Sequence, residues 1–417
     1  MDRFEIIGGH KLEGRFSVQG AKNSCLPIIA ATMLVQGETV LHNCPDLKDT
    51  EVAVSILNSL GCYTERHGND IYINSDVNLE NTIPEELMSK MRSSIMFLGP
   101  LLSRNKCVRI YYPGGCKLGP RPINYHIDAF RALGAETYEE ENSICFKNFS
   151  APPREITLEY PSVGVTENIM TFLAIGQGDE IRIKNPAREP EILDLQNFLN
   201  SAGAKIKGAG NEEIIIKPVE KLHNTEYNIM PDRIATLTYL TSVAMCGGDV
   251  IIDNAVPEHI RKPLKMLEKA GAEIRDSYGI RLISHRGIKA LGKIETGPYP
   301  DFPTDAQACF SALMSTSEGE TEICENVFSS RFSHCDELKK MGADIDFRDG
   351  NAVVKGVKRL KGAEVYASDL RCGAALIAAG LSAEGRTKVY GTEFIDRGYE
   401  NIEKVLRKIG ADIKRLS

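Results

Sequence analysis

Residues 260–274, IRKPLKMLEKAGAEI, contain the pattern that decides the fold of this chain. Apolar residues at helical spacing run up to Ala270. Gly271 follows, and a β-like run begins at once. A glycine in this place is typical of a helix that ends in a left-handed C-cap and turns directly into a strand. The segment therefore predicts a helix, a one-residue turn and a strand.

The same signature recurs six times along the chain. Its glycines are 61, 134, 203, 271, 342 and 410, spaced 68 to 73 residues apart. A second helix recurs at the same period and is apolar nearly all round, as in CGAALIAAGL at 372–381. Because such helices belong in a core, each repeat is predicted to be a β/α unit with one buried and one amphipathic helix.

The ends of the chain indicate how the six units are grouped. The sixth copy stops at Ser417 without the strand pair that follows the others, and residues 4–18 resemble 352–365. The N-terminal segment is therefore predicted to complete the last repeat. Three units would form a domain from 21 to 229, and three would form a second from 230 to 417 together with 1–20. A single six-unit ring is the alternative.

Composition excludes several classes of protein. The chain has 417 residues, of which 42% are apolar and 26% charged, and its net charge is −7. This balance is that of a soluble globular protein and disfavours non-specific nucleic-acid binding. No run reaches the length of a membrane helix and the start lacks a signal-peptide core, so we expect a cytoplasmic protein.

The cysteines and histidines do not have the spacing of a metal site or a disulfide framework. The eleven cysteines are odd in number and irregular in spacing, and the eight histidines show no H-x-x-x-H pair. Most cysteines, including Cys25, Cys246, Cys309 and Cys372, are interpreted as reduced core residues. No dinucleotide or P-loop fingerprint is present, and we expect no metal and no organic cofactor.

One segment does not look like core. PGGCKLGPRP at 113–122 places the thiol of Cys116 beside Lys117 and Arg121, among glycines and prolines. Neighbouring positive charge favours the reactive thiolate. The alternative is an exposed turn with an incidental cysteine, because turns attract glycine and proline for other reasons.

Charged residues open the apolar helices. Asp232 and Asp369 fit ordinary N-capping. The cations Lys22, Arg92, Arg233 and Arg371 do not, because the helix dipole disfavours positive charge at an N-terminus, and they indicate an anionic ligand. Two such faces across a hinge would suit phosphate. Arg331 and Arg397 are further cations in loops, each of which could equally be a solvated surface charge.

These motifs resemble the UDP-N-acetylglucosamine 1-carboxyvinyltransferases, the enolpyruvyl transferases that begin peptidoglycan synthesis. The resemblance runs from end to end. Its motifs are the Cys116 loop, GAKNS at 20–24, SVG at 162–164, REPE at 188–191, MPDR at 230–233, FPTD at 302–305, VF at 327–328 with Arg331, DLR at 369–371 and DRG at 396–398. It implies an α/β fold of two inside-out barrel domains with three repeats each.

The resemblance also implies a reaction and a set of site residues. The enolpyruvyl group of phosphoenolpyruvate passes to the 3'-hydroxyl of UDP-N-acetylglucosamine by addition and elimination, and phosphate is released. Cys116 is implied as the acid and as the site of a covalent phosphoenolpyruvate adduct, and Asp305 as the base. Phosphoenolpyruvate is implied to bind Lys22, Asn23, Arg121 and Arg397, of which Lys22 and Arg397 also count as catalytic. The nucleotide sugar is implied to contact Asn23, Arg92, Arg121, Pro122, Ile123, Asn124, Tyr125, Ser162, Val163, Gly164, Thr304, Asp305 and Val327. Asp369, Arg371 and Arg331 are implied to support the cleft, and no protein partner is expected.

Three positions depart from the family pattern, and two alternatives stay open. Met96 stands where tryptophan is common, Asn124 where aspartate is, and Tyr160 where lysine is. Each concerns recognition of the nucleotide sugar rather than the reacting atoms. The alternatives are a 3-phosphoshikimate 1-carboxyvinyltransferase and a catalytically weak paralogue that binds the nucleotide sugar.

Overall fold

A computed structural model describes residues 2–114, 123–147, 152–276 and 278–416. The predictions for Cys116, Arg121 and Pro122 lie outside these residues. The strands, in chain order, are β1 (Arg3–Ile7), β2 (Leu12–Phe16), β3 (Glu38–His42), β4 (Tyr63–His67), β5 (Asp70–Asn74), β6 (Cys107–Tyr111), β7 (Glu136–Glu139), β8 (Ser143–Lys147), β9 (Glu155–Thr157), β10 (Ile181–Lys184), β11 (Lys205–Lys207), β12 (Glu213–Lys217), β13 (Thr225–Asn228), β14 (Gly248–Ile252), β15 (Glu273–Arg275), β16 (Ile280–Ser284), β17 (Gly292–Glu295), β18 (Glu320–Cys324), β19 (Asp344–Arg348), β20 (Asn351–Lys355), β21 (Glu364–Tyr366), β22 (Arg386–Tyr390) and β23 (Asp412–Leu416).

The helices alternate with these strands. They are α1 (Lys22–Ala31), α2 (Lys48–Ser59), α3 (Glu85–Lys90), α4 (Leu98–Arg104), α5 (Asn124–Ala132), α6 (Val163–Ala174), α7 (Pro190–Ser201), α8 (Arg233–Cys246), α9 (Arg261–Lys269), α10 (Gln307–Met314), α11 (Ser333–Lys340), α12 (Leu370–Ser382), α13 (Thr392–Ile395) and α14 (Ile402–Lys408). Short 3-10 helices cover Thr32–Leu34, Arg92–Phe97, Pro257–Ile260 and Thr304–Ala306. Within the described ranges, none of these helices combines the length and apolarity needed to cross a bilayer.

The described chain divides into two compact units. The N-terminal unit covers described residues from 20 to 230, and the C-terminal unit covers those up to 19 and from 231 onward. The N-terminal unit has sheets of order β13-β3-β5-β4, β6-β8-β7 and β11-β12-β10-β9. The C-terminal unit has sheets of order β15-β16-β14-β2, β17-β18-β20-β19 and β21-β22-β1-β23. Each unit has its own apolar core.

The six signature glycines end helices as predicted. Each follows an amphipathic helix and precedes a strand by one residue, as Gly271 does between α9 and β15. Their φ angles, at positions 61, 134, 203, 271, 342 and 410, lie between 89° and 110°. A side chain would be strained in this left-handed region, which explains why glycine recurs there.

The apolar helices form the cores, as predicted. All fourteen residues of α8 are buried, as are Arg371 to Leu381 of α12. Cys25, Cys246, Cys309 and Cys372 are buried free thiols, which confirms their assignment to the core.

The N-terminal strands join two different sheets of the C-terminal unit: β1 completes the sheet of the last repeat, as predicted, whereas β2 joins the sheet of the fourth repeat. β1 lies between β22 and β23 and pairs antiparallel with both, and β2 pairs in parallel with β14. The prediction that no strand pair follows the sixth signature needs a correction, since β23 does form after Gly410. β1 occupies the position of the second strand of that pair, between β22 and β23.

Candidate active site

Asp305 stands at the centre of a charged cluster in the C-terminal unit. It lies in the 3-10 turn before α10, and its carboxylate bridges two arginines from neighbouring segments. Oδ1 lies 2.7 Å from Arg331 and Oδ2 lies 3.0 Å from Arg371, at the start of α12. Both guanidinium groups are nearly buried, whereas the carboxylate keeps 22% of its surface exposed. Two helix starts therefore converge on one accessible anion.

The two arginines determine how Asp305 ionises. Burial by itself would raise the pKa of this carboxyl, but Arg371 and Arg331 outweigh burial and hold the pKa well below its usual range. The same contact raises the pKa of Arg371, against the effect of burial. Asp305 is therefore an ionised but weak base in this arrangement.

A buried glutamate that the sequence patterns did not single out organises the adjoining loop. Oε2 of Glu325 accepts from Thr304 Oγ1 at 2.9 Å. Oε1 accepts from the backbone N–H groups of Val327 and Phe328, each at 2.9 Å. Glu325 thereby joins Thr304 and Val327, two of the predicted nucleotide-sugar residues. Its only signal in the sequence is an acidic residue directly after β18.

Tyr399 contacts Arg371 from within the core. The sequence patterns did not single it out. Its hydroxyl lies 2.7 Å from Thr238 Oγ1 on α8 and 3.5 Å from a guanidinium nitrogen of Arg371. The ring is almost wholly buried. The network of Asp305 and Arg371 thus extends to Thr238 on a third core helix, α8. The nearby sequence DRGY drew attention to Arg397 instead, which is half-buried just beyond α13.

Asp232 and Asp369 are N-caps, which confirms the simpler interpretation of both. Asp232 accepts from the N–H groups of Ile234 and Ala235 at 2.8 and 2.9 Å. Asp369 accepts from those of Arg371 and Cys372 at 2.9 and 3.1 Å. Capping by Asp369 also places the backbone of Arg371 at the helix start.

Lys22 has a carboxylate partner in the N-terminal unit. It is the first residue of α1, and its Nζ lies 2.7 Å from Oδ2 of Asp49, in the first turn of α2. Asp49 is buried, whereas Lys22 remains slightly exposed and its neighbour Asn23 is exposed. Asp49 offsets the unfavourable interaction of Lys22 with the helix dipole. Sequence reasoning missed Asp49 because an acid in a first helical turn ordinarily serves the dipole alone.

A second group of polar residues, His126 and Asn168, lies beside Gly164 at the start of α6. Oδ1 of Asn168 accepts from Gly99 N at 2.7 Å, so its amide nitrogen is the atom that donates to Nδ1 of His126 at 3.0 Å. A Cβ at position 164 would come within 2.7 Å of Met96 and 3.3 Å of the His126 ring. Burial and the charge of Arg92 lower the pKa of His126 to about 3.

The departures from the family pattern lie around this group. Tyr160 stacks on Tyr125 with ring centroids 6.1 Å apart and planes inclined by 16°. Both rings are substantially exposed, as is Asn124 at the start of α5, whereas Ile123 is buried. Ser162 caps α6, and Val163 is its first residue. The predicted nucleotide-sugar residues 123–125 and 162–164 therefore lie at two helix starts, beside an aromatic pair.

The structure thus brings several of the predicted site residues together in two groups, one within each unit, and Lys22, Asn23 and Arg397 belong to neither group on the contacts given above. Asp305, Thr304, Val327, Arg331 and Arg371 share hydrogen bonds or ion pairs, directly or through Glu325. In the N-terminal unit, the charge of Arg92 acts on His126, which adjoins Gly164. The assignments of individual residues to individual substrates stay predictions.

Two buried histidines should make stability depend on pH. Burial is the main cause that lowers the pKa of His126 to about 3 and that of His334, beside Asp369 and Arg331, to about 4. An unfolded chain takes up these protons near pH 6.5, whereas the folded chain does not. We therefore expect stability to fall as pH drops from about 6.5 towards 4, by up to about 1.4 kcal/mol per pH unit for each histidine.

Urea unfolding at several pH values between 7.5 and 4.5 would measure this dependence. His334→Asn should flatten the curve, and His67→Asn, at an exposed position, should leave its slope unchanged. Equal slopes for wild type and His334→Asn would contradict the assignment.

Comparison with solved structures identifies the fold. The chain matches the crystal structure of the enolpyruvyl transferase NikO from Streptomyces tendae with a TM-score of 0.88 and 22% identity, over 99% of this chain and 98% of that one. It matches the EPSP synthase of Acinetobacter baumannii with a TM-score of 0.76 and 18% identity over 100% of both chains. The fold is that of the enolpyruvyl transferases, as predicted.

Comparison of sequences shows to which family of enolpyruvyl transferases the chain belongs. Residues 6–406 match the family described as EPSP synthase (3-phosphoshikimate 1-carboxyvinyltransferase). A protein of Caldanaerobacter subterraneus subsp. tengcongensis named UDP-N-acetylglucosamine 1-carboxyvinyltransferase 2 is 46% identical over 100% of both chains. One of Carboxydothermus hydrogenoformans, named UDP-N-acetylglucosamine 1-carboxyvinyltransferase 1, is 45% identical over 100% of this chain and 99% of that one. Within the enolpyruvyl transferases, the chain belongs to the UDP-N-acetylglucosamine 1-carboxyvinyltransferase family, and the predicted resemblance is confirmed.

Proposed function

We propose that this protein is the enzyme that transfers the enolpyruvyl group of phosphoenolpyruvate to the 3'-hydroxyl of UDP-N-acetylglucosamine and releases phosphate, the first committed step of peptidoglycan synthesis. The observation that carries the proposal is the match at 46% identity over the full length of a relative with that name. The charged groups on both units support it, because both substrates are anionic.

The proposed reaction needs a base in the addition step and an acid that protonates phosphoenolpyruvate. In the addition step, the sugar hydroxyl gives its proton to a base and its oxygen bonds to the central carbon of phosphoenolpyruvate, while an acid protonates the methylene carbon. In the elimination step, the new methyl group loses a proton and phosphate leaves. Asp305 is the proposed base, and Cys116 is the proposed acid and the site of a covalent adduct. Lys22, Asn23, Arg121 and Arg397 are proposed to hold phosphoenolpyruvate.

The contacts of Asp305 add a condition to this mechanism. While its carboxylate is paired with Arg331 and Arg371, its pKa is too low for an effective base at neutral pH. An anionic substrate that draws one guanidinium away would raise the pKa of Asp305 towards the useful range. Substrate binding and activation of the base would then be one event.

The acceptor specificity tests the proposed function. Phosphate release should be measured with phosphoenolpyruvate and either UDP-N-acetylglucosamine or shikimate 3-phosphate. We expect release with the nucleotide sugar alone, and release with shikimate 3-phosphate alone would contradict the proposal. Binding of the nucleotide sugar without turnover, observed by calorimetry, would identify a paralogue that only binds it.

A further inference from the structure

Two half-buried cysteines face each other on the three-stranded sheet of the N-terminal unit. Cys107 lies at the start of β6 and Cys145 on β8, and their sulfur atoms are 3.4 Å apart. In the antiparallel register, Cys107 pairs with Lys147 and Arg109 pairs with Cys145, so the cysteines are diagonal neighbours on one face. Strand twist brings one diagonal of such a pair together. We infer that Cys107 and Cys145 are a modification site that a small-molecule disulfide converts to a reversible protein disulfide.

Accessibility distinguishes this pair from the other cysteines in the described part of the chain. The other eight described cysteines are buried, whereas Cys107 and Cys145 are of intermediate exposure. Cys25 and Cys44 are also in contact, but within the core. A dissolved oxidant can therefore reach the pair on the sheet and not the pair in the core.

The local geometry suits the chemistry. The sulfurs need to approach by about 1.4 Å to reach the length of a disulfide bond, which small rotations of two surface side chains can supply. Burial and the contact with Cys107 raise the pKa of Cys145, and the nearby cations Arg109 and Lys147 offset this only in part.

The reaction with oxidised glutathione balances in two exchanges. One cysteine thiolate attacks glutathione disulfide, a mixed disulfide forms, and one glutathione thiolate leaves. The second cysteine thiolate attacks the protein sulfur of the mixed disulfide and releases the other glutathione. The two cysteines lose two electrons to the glutathione disulfide, and their protons pass to solvent or to the released thiolates.

The disulfide would join β6, which precedes the Cys116 segment in the chain, to β8. β6 ends at Tyr111. Gly114, three residues later, donates its N–H to Met88 O at 3.0 Å, and Cys116 follows two residues after it. The bond would close a loop between residues 38 positions apart. Such a link restricts the unfolded chain, so oxidation should raise the unfolding midpoint.

Peptide mapping of the full-length protein tests the inference. The folded protein is equilibrated with oxidised and reduced glutathione at a series of ratios, quenched with acid, alkylated and digested with trypsin without reduction. We expect the peptide 107–109 linked to 132–147, a matching loss of two alkylatable thiols, and full recovery with dithiothreitol. The urea midpoint of the oxidised protein should shift upward.

Controls separate this site from other thiols. Cys116 falls on a different tryptic peptide, 110–117, so its own modification is read separately. Cys145→Ser should leave Cys107 with a glutathione adduct and no linked peptide, and should abolish the midpoint shift. Cys25 and Cys44 should stay alkylatable only after denaturation, which verifies that the protein remained folded. Free thiols at 107 and 145 at every ratio, or separate glutathione adducts on both, would overturn the inference.

Discussion

Replacement of Cys116 by serine should lower turnover by about 10²–10⁴-fold, the range that a positioned acid contributes. A serine hydroxyl is too weak an acid to protonate the methylene carbon and too weak a nucleophile to form the adduct. Cys116→Asp should retain turnover, because a carboxyl group can also deliver a proton. Steady-state phosphate release with both substrates measures the effect.

Alkylation supplies an independent measurement at the same residue. If Cys116 is the reactive thiol, wild-type protein should be inactivated by the epoxide fosfomycin, which can alkylate a thiolate, whereas Cys116→Asp should resist it. Cys107→Ser removes a partly exposed thiol outside the proposed site and is the matched control, expected to match wild type in turnover and in inactivation. Unchanged turnover of Cys116→Ser would refute the acid role.

Asp305→Asn should reduce both turnover and stability. An amide cannot act as the base, so turnover should again fall by about 10²–10⁴-fold. The substitution also leaves Arg331 and Arg371 without their shared counter-charge at a nearly buried site. Loss of one partner of a buried pair costs about 3–5 kcal/mol, and we expect about 3 kcal/mol because the carboxylate is partly exposed.

The contribution of Asp305 should have a defined pH dependence. Because Arg371 and Arg331 overcome burial and lower the pKa of Asp305 in the folded protein, its stabilising effect is fully present above the unfolded value of about 4 and declines as pH falls below it. The difference in unfolding free energy between wild type and Asp305→Asn should therefore be constant from pH 8 to about pH 5.

Asp301→Asn is the matched control for this prediction. Asp301 lies four residues away, and its carboxylate pairs with Lys262 at 2.6 Å, but both side chains are well exposed. Exposed pairs contribute about 0–1 kcal/mol, so this variant should remain close to wild type in stability and in turnover. Similar losses for Asp301→Asn and Asp305→Asn would contradict the role given to the buried cluster.

The charged residues show where prediction from the sequence stopped. The sequence identifies the cations at the helix starts as unusual and predicts that they bind an anionic ligand. The structure adds protein carboxylates, Asp49 beside Lys22 and Asp305 beside Arg371. An aspartate in a first helical turn looks the same in a sequence whether it serves the dipole or a distant cation. Only the packing of the helices distinguishes the two.

By itself, the sequence determined what depends on neighbours along the chain. The C-cap glycines, the caps at Asp232 and Asp369 and the apolar helices follow from conformational preferences and hydrogen bonds within a few residues, and the repeat is visible as the spacing of these local signatures. Only the tertiary structure decided the partners of Asp305, the support that Glu325 and Tyr399 provide, and the approach of Cys107 to Cys145. Apart from the hydrogen bonds that Glu325 accepts from its own loop, these contacts join residues 21 to 161 positions apart. No local preference specifies such pairs, because they depend on how the repeats pack.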